Sequence, residues 1–166
     1  YKFFKGYDKS YLKSIRSKVE SLGMCIPMIC HSPDFTNPDP VIRAEEIELQ
    51  KRMIEVTAQL GGSFCRTLSG QKRPGISDEE GISWVVDSIK ACLNHAEKHN
   101  VKLVMENHYK DGAWKYREFA QKMDIFVEIV NKIPSEWFGV QFDPSNTIVA
   151  GEDPLQLLDK VINRVM

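Results

Sequence analysis

In the segment "VKLVMENHYK", residues 101–110, an apolar run leads directly into Glu106, Asn107 and His108, and this pattern is the main indication of the fold class. The stretch "WFGVQFDPSN", residues 137–146, repeats this pattern, and its hydrophobic run ends on Asp143. Parallel strands carry their C-terminal ends to one edge of a sheet, and in α/β proteins that edge is where active sites are built. We therefore expect the two carboxylates to converge at one edge.

The rest of the chain alternates amphipathic helices with apolar strands, which requires parallel pairing and right-handed crossovers. Ser77 and Glu80 form an S-x-x-E capping box, and Asp153 with Pro154 begins a closing helix. The pattern predicts an α/β fold in one domain over residues 1–166. The predicted strands are 24–30, 63–70, 101–106 and 137–143, and a long helix is predicted over 41–60.

Two of these strands carry further information about their surroundings. The strand 24–30, "MCIPMIC", is continuously apolar, which favours cover on both faces. In the strand 137–143, alternation places Phe138, Val140 and Phe142 toward helices and Gln141 with Asp143 toward a more polar interior.

Composition excludes several classes of function. The hydrophobic fraction is 42%, the charged fraction is 27% and the formal net charge is -1, which gives no electrostatic footprint for nucleic acid or an anionic membrane. No apolar run approaches the ~20 residues that cross a bilayer. The four cysteines contain no CxxC pair and are interpreted as reduced packing residues of a cytoplasmic protein.

Two carboxylates at one strand edge have a chemical consequence. They repel each other, so one takes up a proton unless a cation lies between them. Oxygen ligands of this kind suit a divalent Mg, Mn, Co or Zn ion. The alternative is that Asp143 caps the turn "DPSN" and Glu106 is a solvated strand end.

The segments "LSGQKRPG", "MENHY", "FDPSN" and "AGEDP", in this order and spacing, resemble the sugar-phosphate isomerase/epimerase group of xylose isomerase-like TIM barrels, which is grouped with family 2 apurinic endonucleases. The resemblance runs along nearly the whole chain and implies barrel strands two to five, about half of an eight-stranded barrel. A complete barrel takes ~250 residues. Because the chain also begins at Tyr1 and not at a methionine, we expect it to be part of a longer protein.

The resemblance also implies residue roles. The metal-binding glutamate of the family falls on Glu106 and its metal-binding aspartate on Asp143, while its further ligands come from later strands. Epimerases of the group often have a substrate-binding histidine three residues after that aspartate, and this sequence has Asn146 there. The implied activity is metal-dependent isomerisation or epimerisation of a sugar or sugar phosphate through an ene-diolate, with Glu106 as the catalytic base.

Candidate substrate-binding residues each have a plainer alternative. His108 either contacts substrate or is a solvent-exposed loop histidine. Arg66 either binds substrate or pairs with a carboxylate. His31 begins the loop after the first predicted strand, where it either helps to shape the pocket or has no role in it. Lys72 and Arg73 bind phosphate or belong to a solvated loop. His99 is interpreted as serving a helix C-terminus.

The sequence is compatible with three functions. The complete protein is expected to be an enzyme acting on a small-molecule sugar, with the 166 residues alone inactive. A non-catalytic sugar-binding or assembly module is the main alternative, and a zinc-dependent endonuclease is disfavoured because it needs several histidine ligands and a basic surface. Neither nucleic acid nor membrane is an expected partner, and a homo-oligomer is left open.

Overall fold

The computed structural model describes residues 8–166 as four parallel strands that alternate with helices, so the predicted α/β class is confirmed. The strands are β1 (Met28–Cys30), β2 (Phe64–Thr67), β3 (Lys102–Glu106) and β4 (Phe138–Gln141). The helices are α1 (Lys9–Ser21), α2 (Pro40–Gln59), α3 (Asp78–His99), α4 (Met123–Asn131), α5 (Pro144–Val149) and α6 (Pro154–Val161). Short 3₁₀ turns at Phe119–Gln121 and Ile162–Arg164 precede α4 and follow α6.

Local signals in the sequence determine where the helices begin. The predicted capping box forms, because the Ser77 side chain accepts from the backbone N–H of Glu80 and the Glu80 side chain accepts in return from that of Ser77. Asp153 caps α6, and Pro154 is its first residue. Asp143 caps α5, a helix of six residues that the sequence did not predict, so the cap that the alternative interpretation gave to Asp143 is present.

The sheet has the order β1-β2-β3-β4, and the register places the candidate residues at one edge. Arg66 of β2 pairs with Val104 of β3, so Glu106 lies two residues nearer the C-terminal edge. Glu106 in turn pairs with Gln141 of β4, and Asp143 lies two residues beyond that position.

One face of the sheet packs against the helices, and the other carries the polar candidates. Phe138 and Val140 are fully buried in the helix-packed core, and Phe142 packs against it, so the predicted alternation of β4 is confirmed. Period-two alternation assigns Arg66, Glu106 and Gln141 to the opposite face. The buried core residues of the strands are Cys65, Leu103, Met105, Phe138 and Val140.

The first strand differs from its prediction. β1 covers only three residues, and none of them is fully buried, because it is the edge strand of the described sheet. Cys25 and Cys30 are exposed, so their interpretation as packing residues was wrong. Cys65 and Cys92 are buried packing residues as predicted, and burial raises the pKa of each thiol to about 12.

The outer edge of β4 is partly covered by the C-terminal residues. Val165 forms a parallel bridge with Val140, and the backbone N–H of Met166 donates to the carbonyl oxygen of Val140. A side chain at Gly139 would collide with the Arg164 carbonyl and the Met166 side chain, so this close approach requires glycine. Among residues 8–166, no helix has the length and apolar character needed to span a membrane.

Candidate functional site

Glu106 ends β3 and is buried, with 5% of its surface exposed. Its Oε2 accepts a 2.6 Å hydrogen bond from Nη1 of Arg66, and Nη2 of Arg66 donates to Oγ of Ser32 at 3.0 Å. Its Oε1 lies 3.3 Å from Nδ1 of His108 and accepts from Nδ2 of Asn146 at the same distance. The carboxylate is thus held from three sides by groups of β2, the loop after β3, and α5.

Asp143 is fixed on the next strand end by its own turn. Its Oδ1 accepts from the backbone N–H of Ser145 at 2.8 Å and from the Ser145 hydroxyl at 2.5 Å. Burial tends to raise the pKa of this carboxyl, but the hydrogen bonds from Ser145 and Asn146 outweigh it, so the pKa lies below its usual value. Asp143 is therefore ionised at neutral pH.

The side chain of Asn107 links the ends of β3 and β4 by hydrogen bonds. It accepts from the backbone N–H of Asp143 at 2.7 Å and donates to the Asp143 carbonyl at 2.6 Å. It also donates to the Thr147 hydroxyl at 2.9 Å. The sequence predicted no role for Asn107, because its hydrogen-bond partners lie about 40 residues away in the chain.

Asn146 joins the two predicted carboxylates. Its Nδ2 donates to Oδ2 of Asp143 at 2.9 Å and to Oε1 of Glu106 at 3.3 Å. Both oxygens therefore point at a single atom, and the expected convergence of the two side chains is present. An asparagine amide carries a donor and an acceptor, so rotation about its last bond would present Oδ1 to the same point.

His108 and His31 differ in charge. Contact with the Glu106 carboxylate raises the pKa of His108, which favours its imidazolium form. His31 is 3% exposed, and burial, followed by the positive charge of Arg66, lowers its pKa to about 4. His31 is therefore neutral at pH 7, and its 3.9 Å approach to Glu46 is not an ion pair.

Glu118 is a buried acid that sequence reasoning missed. Its Oε1 accepts from the backbone N–H of Ser69 at 2.7 Å and from the Ser69 hydroxyl at 2.5 Å, while its Oε2 has no hydrogen-bond partner. Burial raises its pKa to about 8, and the hydrogen bonds from Ser69, followed by the charge of His108, oppose this rise in part. The residue lies in a charged segment, "KYREFA", which gives no sign of burial.

Lys72 and Arg73, the two cations of the loop after β2, form ion pairs with carboxylates. Arg73 forms an ion pair with Asp34 that uses both of its terminal nitrogens, and Lys72 pairs with Asp78. Gln71 completes the Asp34 cluster with hydrogen bonds from its backbone and side chain. This arrangement favours a structural role for both cations over phosphate binding.

The donor set at the strand edge fits a divalent cation. Oε1 of Glu106 and Oδ2 of Asp143 already converge on one point, and the Asn146 amide can supply a third oxygen there. Hard oxygen donors of this type are those that Mg²⁺ and Mn²⁺ prefer. Because Oε2 of Glu106 accepts a hydrogen bond from Arg66, the carboxylate would bind the cation through Oε1 only.

The sequence matches the xylose isomerase-like TIM barrel family over residues 1–165, and the chain belongs to that family. The four parallel β/α units with a carboxylate at the ends of β3 and β4 agree with this assignment. No curated protein matches the sequence.

Solved structures share the fold at low identity. A xylose isomerase domain protein from Planctomyces limnophilus is 18% identical, with a TM-score of 0.72 over 96% of this chain and 58% of its own. A 3-keto-D-glucoside 4-epimerase from E. coli is 11% identical, with a TM-score of 0.79 over 95% and 62%. A D-psicose 3-epimerase from Clostridium cellulolyticum H10 is 12% identical, with a TM-score of 0.78 over 96% and 56%. The chain spans less than two thirds of each of these proteins.

Proposed function

We propose that the protein containing this chain is a metal-dependent isomerase or epimerase of a sugar or sugar phosphate. The observation that carries the proposal is the convergence of Glu106 and Asp143 on Nδ2 of Asn146 at the C-terminal edge of the sheet. Family membership supports it, and the epimerases among the similar structures support the class of substrate. On this proposal the four strands are strands two to five of the barrel.

The chemistry is proton transfer at a carbon next to a carbonyl. A divalent cation held by Glu106 and Asp143 would stabilise the ene-diolate that forms when that proton leaves. Glu106 would be the base and would take the proton on a remaining lone pair of its carboxylate, whose orientation Arg66 fixes through Oε2. Which carbon is reprotonated distinguishes isomerisation from epimerisation.

The surrounding residues position the substrate. His108 would donate to a substrate oxygen beside Glu106, and Asn146 would contact a hydroxyl in place of the histidine found in related epimerases. Arg66 acts through Glu106, which it orients. His31, buried and neutral, would help to shape the floor of the pocket.

A non-catalytic sugar-binding module is a second candidate, and one observation favours it. Both oxygens of Glu106 are already engaged, by Arg66 at 2.6 Å and by His108 and Asn146 at 3.3 Å. A carboxylate neutralised in this way can hold sugar hydroxyls without a cation.

Solvent exchange separates the two candidates. The complete protein is incubated in D₂O with Mn²⁺ and a panel of ketoses and ketose phosphates, and deuterium in recovered sugar is measured by mass spectrometry. We expect deuterium on carbon, and we expect Glu106→Gln to lose it by more than about 1,000-fold with unchanged circular dichroism. Glu136→Gln, at an exposed position, serves as the matched control. If a sugar binds but no sugar of the panel takes up deuterium, the result would support the non-catalytic module.

A further inference from the structure

A second cluster of potential ligands lies on the helices, away from the strand edge. It consists of Glu55 near the end of α2, and His95 and His99 near the end of α3. β3 begins at Lys102, three residues after α3 ends, while Glu106 lies at the opposite end of that strand. The cluster is therefore at the N-terminal edge of the sheet and does not belong to the site described above.

The spacing of the two histidines places them on one helix face. Residues four apart in a helix are neighbours on its surface, and the imidazole centroids of His95 and His99 are 4.6 Å apart with a tilt of 41°. Glu55 approaches from the adjacent helix, with Oε1 at 3.0 Å from Nε2 of His95. One donor atom from each of the three residues lies within 4.8 Å of the others.

The buried Nε2 atom of His95 is a second observation in favour of a ligand at this cluster. Its Nε2 is buried yet makes no well-formed hydrogen bond, even though the Glu55 oxygen lies close to it. A buried polar nitrogen without a proper partner costs stability. A cation placed between the imidazoles and the carboxylate would satisfy this nitrogen.

We propose that Glu55, His95 and His99 form a binding site for a divalent transition-metal ion, with zinc as the expected occupant. Two imidazole nitrogens and one carboxylate oxygen are a common zinc donor set, with Zn–N distances near 2.0–2.1 Å, and water takes the fourth position. The three side chains are half-buried, so small rotations can draw their donor atoms together. The ion would connect α2 to α3 and stabilise the fold, since the N-terminal face of such barrels serves stability and not catalysis.

Neighbouring charges moderate the affinity. Lys9 and Lys98 line the same surface groove, which has a volume of about 480 Å³. Their ammonium groups repel a cation, so replacing Lys98 with alanine should tighten zinc binding. This response distinguishes a metal site from a simple Glu55–His95 ion pair.

The test measures zinc binding by competition with a chromophoric chelator. It uses the complete protein in a background with Cys25→Ser and Cys30→Ser, because Cys25 and Cys30 are exposed and thiolates are zinc ligands. We expect one zinc ion to bind in the presence of excess Mg²⁺, and His99→Gln or Glu55→Gln to weaken binding at least about tenfold. Glu97→Gln, an exposed carboxylate on the same helix, should leave the affinity unchanged.

Zinc binding and deuterium exchange, measured in the same variant, separate this proposal from the proposed function of the strand-edge site. In a Glu106→Gln, Asp143→Asn background, the His99-dependent zinc binding should persist, whereas deuterium exchange into sugars should be lost. Thermal melting in EDTA checks that His99→Gln folds as the wild type does. Zinc affinity that is unchanged in both His99→Gln and Glu55→Gln, or absence of zinc binding to the wild type, would overturn the proposal.

Discussion

Arg66 and Glu106 form a largely buried ion pair that links β2 to β3, with Nη1 and Oε2 at 2.6 Å. The side chains are 15% and 6% exposed, and the register pairs Arg66 with Val104, two residues before Glu106 at the end of β3. The guanidinium thus reaches along the sheet to hold the carboxylate that we propose as the base. Its second hydrogen bond, to Ser32, fixes its own orientation.

Replacing Arg66 with methionine should destabilise the fold. Removal of one partner leaves the Glu106 carboxylate buried without its counter-charge, and breaking buried pairs costs about 3–5 kcal/mol. Urea denaturation of Arg66→Met should therefore show a loss of roughly this size. Arg66→Lys keeps the charge but loses the fork geometry, so its loss should be smaller. An Arg66→Met variant as stable as the wild type would show that the pair contributes little.

Divalent metal at the strand edge should stabilise the protein through Asp143. A ligand at 100 times its dissociation constant adds about 2.7 kcal/mol to the free energy of unfolding. We expect Mn²⁺ to raise the melting temperature, EDTA to reverse the rise, and Asp143→Asn to abolish it. Measurement in a His95→Gln, His99→Gln background removes any contribution from the helix cluster. A Mn²⁺ effect that survives in Asp143→Asn would place the ion elsewhere.

Asn146→Asp should couple stability to metal. The substitution brings a third carboxylate to the point shared by Glu106 and Asp143, where like charges repel. We expect a loss of about 1–2 kcal/mol in EDTA and an increase in Mn²⁺ affinity of roughly tenfold. Differential scanning calorimetry with and without Mn²⁺ measures both effects. Asn94→Asp, at an exposed position on α3, should show neither.

Glu118 should make the stability fall at alkaline pH. Its pKa is near 8 in the folded protein, above its ordinary value of 4.5, so the folded state retains a proton that the unfolded state has lost between those two pH values. The unfolding free energy therefore decreases as pH rises through this window, by a few kcal/mol at the order-of-magnitude level. Glu118→Gln mimics the protonated form and should flatten the decrease in urea denaturation from pH 5 to 9. A variant with the same pH slope as the wild type would contradict the assignment.

Local sequence patterns were sufficient to predict the order of the elements and the edge of the sheet where the two acids lie. Apolar runs ending on Glu106 and Asp143 are local patterns, and parallel pairing follows from the helices between them. Caps at Ser77 and Asp153 are likewise set by a few adjacent residues, so they were predictable. The length and exposure of β1 were not, because an apolar run does not reveal whether a neighbouring strand covers it.

The groups that contact these acids could not be predicted in this way, because long-range packing brings them together. The contacts of Glu106 with Arg66 and Asn146 span 40 residues each, and the Ser69–Glu118 bond spans 49. Such pairings depend on strand register and loop packing, which no short motif encodes. The same holds for Glu55 beside His95, where two helices bring together side chains that the sequence keeps 40 positions apart.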